Sequence, residues 1–150
     1  MQPTACLIII GNEILSGRTQ DKNLAWLAVS LNEAGIKLAE VRVIPDVEAT
    51  IINTVNHCRS AFTYVFTTGG IGPTHDDITS AAIAKAFNLP LTRHPEAEAT
   101  LTRHYGKDQL NVARLKMADT PEGATLIPNP VSAAPGFVIG NVYVMAGVPN

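Results

Sequence analysis

The sequence predicts an α/β fold in which a mainly parallel sheet carries helices on both faces. Short apolar runs alternate with segments of helical period over the first 90 residues, an order that favours parallel strands joined by helices. The run Ala5 to Ile10 is apolar throughout, which is typical of a strand buried on both faces. Near the end, Gly140-Asn141 joins two short strand patterns and predicts an antiparallel hairpin, so the sheet should be mixed.

Local signals place the other elements along the chain. Asp21 and Asp46 stand where they can cap the first two helices, while Gly35 and Pro90 are suited to end helices. We expect helices over 22–34, from 46, over 78–88, 96–105 and 110–117, and later strands over 36–44, 64–68, 124–127, 136–139 and 142–146. Because the chain stops soon after a strand, we expect one domain over 1–150 that is truncated at its C-terminus.

Composition excludes several classes of protein. Hydrophobic residues make up 46% and charged residues 16%, which indicates a globular chain rather than a disordered one. A net charge of −2 argues against binding to duplex nucleic acid. The longest apolar run is too short to span a bilayer and lacks a secretory signal. Cys6 and Cys58 lack metal-ligand spacing, so we expect two buried thiols in a cytoplasmic protein.

The segment Thr67 to Thr79 is the strongest candidate for a functional site. It reads TTGGIGPTHDDIT, follows a predicted strand and precedes a predicted helix, which is where open α/β folds bind ligands. Its glycines, Gly69, Gly70 and Gly72, let the backbone approach a ligand, and the helix start offers free N–H groups to a phosphate. No lysine is present, so the segment is not a P-loop.

Four carboxylates are expected at the same edge of the sheet. Asp76 and Asp77 end the glycine segment, Glu13 follows the first strand, and Asp46 follows the second. A carboxylate beside a phosphate is repulsive unless a metal ion or a moving proton reconciles them. Such a cluster suits metal-assisted cleavage of a phosphoanhydride. The plainer alternatives are helix caps for Asp46 and Asp77, a surface position for Glu13 and a solvent-facing His75.

These segments together resemble the molybdopterin-binding (MoaB/Mog-like) superfamily and, most of all, its CinA N-terminal branch. The resemblance rests on the glycine segment with its paired aspartates, on GNEILSG at 11–17, and on NPVSAAPGF at 129–137. Asp21 and Asn23 match a D-x-N pattern of that branch. Ile71 replaces the threonine of the wider superfamily, and Ser132 stands where the branch often has glycine.

The resemblance implies a three-layer α/β/α fold that forms dimers or trimers. It implies that Asp46 and Asp77 are catalytic or handle a metal ion. The acidic cluster itself predicts that Glu13, Asp76 and Asp77 hold a divalent cation such as Mg²⁺, Mn²⁺ or Co²⁺. The ligand is expected to be a nucleotide or a pterin such as molybdopterin. Its implied contacts are Asn12, Gly69, Gly70, Gly72, Thr74, Ser132, Pro135 and Gly136.

Three functions are compatible with these features. CinA-type relatives are described as metal-dependent ADP-ribose pyrophosphatases, so the first is hydrolysis of a nucleotide-sugar phosphoanhydride. The second is a module that binds molybdopterin or a nucleotide without turnover. The third is an interaction domain with a vestigial site, in which apolar residues from 131 to 137 form an oligomer contact.

Overall fold

The computed structural model describes residues 2–127 and 135–146 of the chain. Its strands are β1 (Thr4–Ile10), β2 (Lys37–Ile44), β3 (Tyr64–Thr68), β4 (Leu91–Arg93), β5 (Asp119–Pro121), β6 (Thr125–Ile127), β7 (Gly136–Ile139) and β8 (Val142–Met145). Its helices are α1 (Asn12–Leu15), α2 (Asn23–Glu33), α3 (Glu48–Ala61), α4 (Thr79–Ala86), α5 (Pro95–Tyr105) and α6 (Val112–Leu115), the last continued by a 3₁₀ turn over Lys116–Ala118.

The main sheet has six strands in the order β2-β1-β3-β8-β7-β6. The first four run parallel, and β7 pairs antiparallel with both β8 and β6, which confirms the mixed sheet and the terminal hairpin. Ile10 lies opposite Ile44, and Ile9 lies opposite Thr68. The three strands β1, β2 and β3 therefore end at the same edge of the sheet.

Helices cover both faces of this sheet, as the sequence predicts. Cys6, Ile8 and Ile10 on β1 pack with buried residues of α3 and α4. The alternate residues of β1, which include Leu7, pack against Leu27 and Leu31 of α2. Because neighbouring side chains of a strand point to opposite faces, β1 must be apolar throughout. Burial of each large side chain contributes about 1.5–3 kcal/mol.

Residues 91–121 form an inserted unit between α4 and β6 that differs from the prediction. The sequence indicated only helices there, whereas β4 pairs antiparallel with β5. Strands of three residues are too short to show a period, and β4 is exposed along its length. The unit has a small core of its own around Leu101 and Met117. The Glu122 N–H donates to the Pro90 carbonyl oxygen at 2.9 Å, so the two ends of the unit lie side by side.

The two predicted helix caps have different outcomes. The Asp21 carboxylate accepts a hydrogen bond from the Leu24 N–H at 2.9 Å and stabilises the first turn of α2, as expected. The prediction that Asp46 caps the next helix is wrong, since α3 follows Val47 and has no side-chain cap. No helix within the described residues combines the length and apolar character needed to cross a bilayer.

Candidate functional site

The loops after β1 and β2 are joined by a reciprocal pair of hydrogen bonds. The Asn12 N–H donates to Oδ2 of Asp46 at 3.3 Å, and the Asp46 N–H donates to Oδ1 of Asn12 at 3.3 Å. The Gly11 N–H also donates to the Ile44 carbonyl oxygen at 3.0 Å. The carboxylate of Asp46 therefore turns back toward β1, which explains why it does not cap α3. Asn12, predicted as a ligand contact, fixes the position of Asp46.

The loop after β3 lies so close to β1 and to the start of α4 that two of its positions require glycine. Gly69 and Gly70 adopt positive φ values of 95° and 77°, a region that side chains disfavour. A Cβ at Gly69 would lie 2.2 Å from the Ile10 carbonyl oxygen, and one at Gly70 would lie 2.0 Å from Oγ1 of Thr79. Ile71 inserts its side chain into the core beside α4 and anchors the loop.

Thr79 at the start of α4 ties the glycine loop to the helix. Its hydroxyl donates to the Gly69 carbonyl oxygen at 3.1 Å, and its N–H donates to the Gly70 carbonyl oxygen at 3.0 Å. The N–H groups of Gly70, Ile71 and Gly72 have no hydrogen-bond partner in the part of the chain that the structure describes. The first N–H of the helix is therefore used, and the loop carries free donors of its own.

Asp77 closes a turn within the glycine segment instead of capping α4. Its Oδ2 accepts from the Thr74 N–H at 2.9 Å and from the Thr74 hydroxyl at 2.8 Å. The Asp77 N–H donates to the Thr74 carbonyl oxygen at 3.1 Å. A Cβ at Gly72 would lie 2.8 Å from Oδ2 of Asp77. Gly72 thus lets the carboxylate lie against the loop backbone, and Thr74, predicted as a ligand contact, orients Asp77.

The four acidic residues share one electrostatic environment centred on Asp46. Burial raises the pKa of Asp46 above its ordinary value, the hydrogen bond from Asn12 lowers it, and repulsion from Glu13, Asp77 and Asp76 raises it further. Within residues 2–127 and 135–146, no three of these carboxylates bring oxygens within 4.8 Å of one another. They act on the ionisation of Asp46 but do not form a closed ligand set.

Glu13 lies beside the glycine loop, as its position after β1 predicts. It lines a cavity of about 190 Å³ together with Ile14, Asn23, Thr68 and Gly69. Its carboxylate folds back over Gly11, where a Cβ would lie 2.5 Å from Oε1 of the glutamate. The cavity has both apolar and carboxylate walls, so it offers space for an uncharged ring next to the loop.

Lys116 is a cation that sequence reasoning missed. It belongs to the inserted unit, and its Nζ donates to the Thr74 carbonyl oxygen at 2.5 Å. With His75 and Arg93 it lines an open cavity of about 580 Å³ on the outer side of the loop. Arg93 is neutralised by Asp119, since its Nε lies 2.6 Å from Oδ1 of that residue. No signal in the sequence links Lys116 to Thr74, because the inserted unit was not predicted as a sheet.

The remaining predicted residues lie in different surroundings. His75 and Asp76 are exposed, with Nε2 of the histidine 3.4 Å from Oδ1 of the aspartate. Pro135 is buried. Gly136 begins β7, where a Cβ would lie 2.5 Å from the Val144 carbonyl oxygen, so strand packing requires this glycine. Ser132 lies outside the described residues.

Fold and site together define a class of protein: a three-layer α/β/α domain with a glycine-rich loop at the carboxyl edge of its parallel strands. A family model described as "probable molybdopterin binding domain" matches residues 6–150. The crystal structure of CinA from Thermoplasma acidophilum superposes with a TM-score of 0.91 at 34% identity, covering 99% of this chain and 90% of that one. The chain belongs to the molybdopterin-binding domain family and, within it, to the CinA-like branch.

Other relatives agree with this assignment. A CinA-like protein of Gloeobacter violaceus is 36% identical over 92% of the chain, and a protein of Aeropyrum pernix is 40% identical over 99%. The chain spans 33% and 58% of their respective lengths. MoaB of Thermus thermophilus, a molybdopterin biosynthesis enzyme, has a TM-score of 0.58 at 20% identity over 98% of this chain and 82% of that one. That last match supports the fold alone.

Proposed function

We propose that this domain hydrolyses the phosphoanhydride of a nucleotide such as ADP-ribose in the presence of a divalent cation. The observation that carries the proposal is that free backbone N–H groups and Asp46, a carboxyl whose pKa is raised in part by Asp77, follow strands that end at the same edge of the sheet. Backbone donors bind phosphate oxygens. A carboxylate of raised pKa is a better general base than an ordinary one.

The proposed phosphate site consists of the N–H groups of Gly70, Ile71 and Gly72, with Lys116 at its outer side. Lys116 has no carboxylate within ion-pair distance among the described residues. Its ammonium group is therefore available to an anion if it leaves the Thr74 carbonyl oxygen. This arrangement supplies the positive charge that the glycine segment itself lacks.

The carboxylates fit a hard divalent cation. Glu13, Asp76 and Asp77 offer the oxygen donors that Mg²⁺, Mn²⁺ and Co²⁺ accept, and their repulsion of Asp46 would fall once a cation neutralised them. When bound, the cation would supply charge stabilisation to the phosphates. In the proposed reaction Asp46 takes a proton from water, the water oxygen forms the new bond to phosphorus, and the anhydride P–O bond breaks, so that ADP-ribose and water give AMP and ribose 5-phosphate.

The test compares Asp77→Asn and Asp77→Ala with the unaltered chain, with ADP-ribose as substrate and Mg²⁺, Mn²⁺ or Co²⁺ present. Asparagine keeps an oxygen that can accept from Thr74, so the turn survives while the charge is lost. We expect metal-dependent AMP release by the unaltered chain and loss of most of it in both variants. Full activity in Asp77→Asn would reduce Asp77 to a structural role, and no AMP release by the unaltered chain would overturn the proposed reaction.

A second function is binding of molybdopterin or a nucleotide without turnover. It is favoured by the open arrangement of the carboxylates, which form no closed ligand set among the described residues. Calorimetry with ADP-ribose and with a pterin distinguishes the two functions, because a binding module would give heats of association but no AMP. Homo-oligomerisation and a cytoplasmic location stay predictions, and light scattering tests the first.

A further inference from the structure

The two cysteines, which their spacing in the sequence did not connect, lie next to each other in the core. Cys6 is on β1 and Cys58 is on α3, both are fully buried, and their sulfur atoms are 3.4 Å apart. Glu40 on β2 is the register partner of Cys6. One carboxylate oxygen of Glu40 and the two sulfurs all lie within 4.8 Å of one another.

We infer that Cys6, Cys58 and Glu40 form a binding site for a borderline-soft divalent cation of the Zn²⁺ type. Zinc accepts thiolate, imidazole and carboxylate ligands, and Zn–S bonds of about 2.3 Å at a tetrahedral angle place two sulfurs about 3.7 Å apart. The observed separation of 3.4 Å is close to that value. Water can complete the coordination, because the Glu40 side chain is 41% exposed.

A divalent cation bound at this position would be balanced in charge. Two thiolates and one carboxylate carry three negative charges, which a divalent cation and the guanidinium of Arg42 would neutralise. Nε of Arg42 lies 2.6 Å from Oε2 of Glu40, an outer contact of the kind that orients ligating carboxylates. Because the ligating sulfurs would be thiolates, binding of a cation would release the thiol protons.

The site is reachable and separate from the glycine loop. β2 is the edge strand of the sheet and the Glu40 side chain is partly exposed, so a cation would reach the two buried sulfurs by passing that side chain. Cys6 precedes the end of β1 by four residues, which is about 13 Å of strand. A cation at this site would join β1, β2 and α3, and its binding does not depend on the proposed hydrolysis.

The test is titration of the reduced, folded chain with Co²⁺, read by absorption, followed by displacement with Zn²⁺. We expect one equivalent of Co²⁺ to produce a thiolate-to-cobalt charge-transfer band that zinc removes. Cys58→Ser should abolish the band. Glu40→Gln should weaken Co²⁺ affinity by about tenfold or more, judged from the losses caused by outer contacts alone. Glu48→Gln is the matched control, since Glu48 is an exposed carboxylate of α3 paired with Lys85.

Circular dichroism establishes that each variant is folded. If Cys58→Ser does not fold, Glu40→Gln decides the matter, because this side chain is partly exposed and glutamine keeps its shape. The inference is overturned if Co²⁺ gives no charge-transfer band, if the band persists in Cys58→Ser, or if Glu40→Gln binds as tightly as the control. If instead the two cysteines form a disulfide in air, seen as the loss of two hydrogens, and the chain takes up no metal, the pair belongs to disulfide chemistry and the inference is also overturned.

Discussion

Replacement of Gly70 by alanine separates two reasons for the glycine in the loop. The first is the backbone, because the φ of 77° is unfavourable for any residue with a Cβ. The second is contact, because the Cβ would lie 2.0 Å from Oγ1 of Thr79. Gly17 provides a control in which only the backbone is unfavourable for alanine, since its φ is 80° and a Cβ there would meet no atom within 4 Å.

The expected magnitudes follow from these two terms. A left-handed backbone costs about 1–2 kcal/mol in a residue with a side chain, and overpacking costs about 1–3 kcal/mol. Gly17→Ala should therefore lose about 1–2 kcal/mol of unfolding free energy, and Gly70→Ala about 2–5 kcal/mol. Many domains have about 5–15 kcal/mol of stability, so Gly70→Ala should still fold in the cold.

Urea denaturation, followed by circular dichroism, measures these losses. Thr79→Ala alone should lose about 1 kcal/mol with the hydrogen bond to Gly69. In the double variant Gly70→Ala/Thr79→Ala the contact with Oγ1 disappears and the closest remaining contact is with the Cβ of residue 79 at 3.1 Å, so the combined loss should be smaller than the sum of the single losses by about 1 kcal/mol or more. Additive losses, or equal losses in Gly70→Ala and Gly17→Ala, would refute the argument that contact with Thr79 requires the glycine.

Three further predictions concern charge and anchoring. Folding raises the pKa of Asp46 above its ordinary value of 3.8, so its ionisation opposes folding and the free energy of unfolding falls as the pH rises past that value. Urea titrations should therefore show that Asp46→Asn gains stability relative to the unaltered chain between acidic and neutral pH. A stability difference between the two that does not change with pH would contradict this. Measured by calorimetry, Lys116→Met should bind ADP-ribose about 10–100-fold more weakly and adenosine with unchanged affinity. The control Lys85→Met should bind both with the affinity of the unaltered chain. Asn141 donates from Nδ2 to three carbonyl oxygens around the end of α3. Asn141→Ala should therefore lower the free energy of unfolding by about 1–3 kcal/mol. An unchanged thermal midpoint would show that these hydrogen bonds do not stabilise the fold.

Much of the fold was predictable because its elements have strong local signals. The uninterrupted apolar run of β1 identifies a strand buried on both faces, and Gly140-Asn141 identifies the β7–β8 hairpin. Asp21 and Gly35 mark the two ends of α2 to within a few residues. Each of these signals lies within a few residues of the element that it specifies, so no knowledge of distant contacts is needed.

The site was less predictable because its key contacts join distant segments. Asp46 looks like a helix cap until Asn12 is known to lie beside it. Lys116 reaches Thr74 across 42 residues of sequence, and Cys6 reaches Cys58 across 52. Such contacts are set by sheet order and register, which hydrophobic period does not reveal.

The paired ends of the inserted unit have a consequence for how this family can diversify. The chain leaves at Pro90 and returns at Glu122, where one hydrogen bond joins the two residues. A unit whose two ends lie side by side can be shortened, lengthened or exchanged during evolution while the six-stranded sheet keeps its register. Because Lys116 is carried by that unit, exchange would change the charge facing Thr74 without altering any residue of the glycine loop. Selectivity among anions can then evolve separately from the sheet.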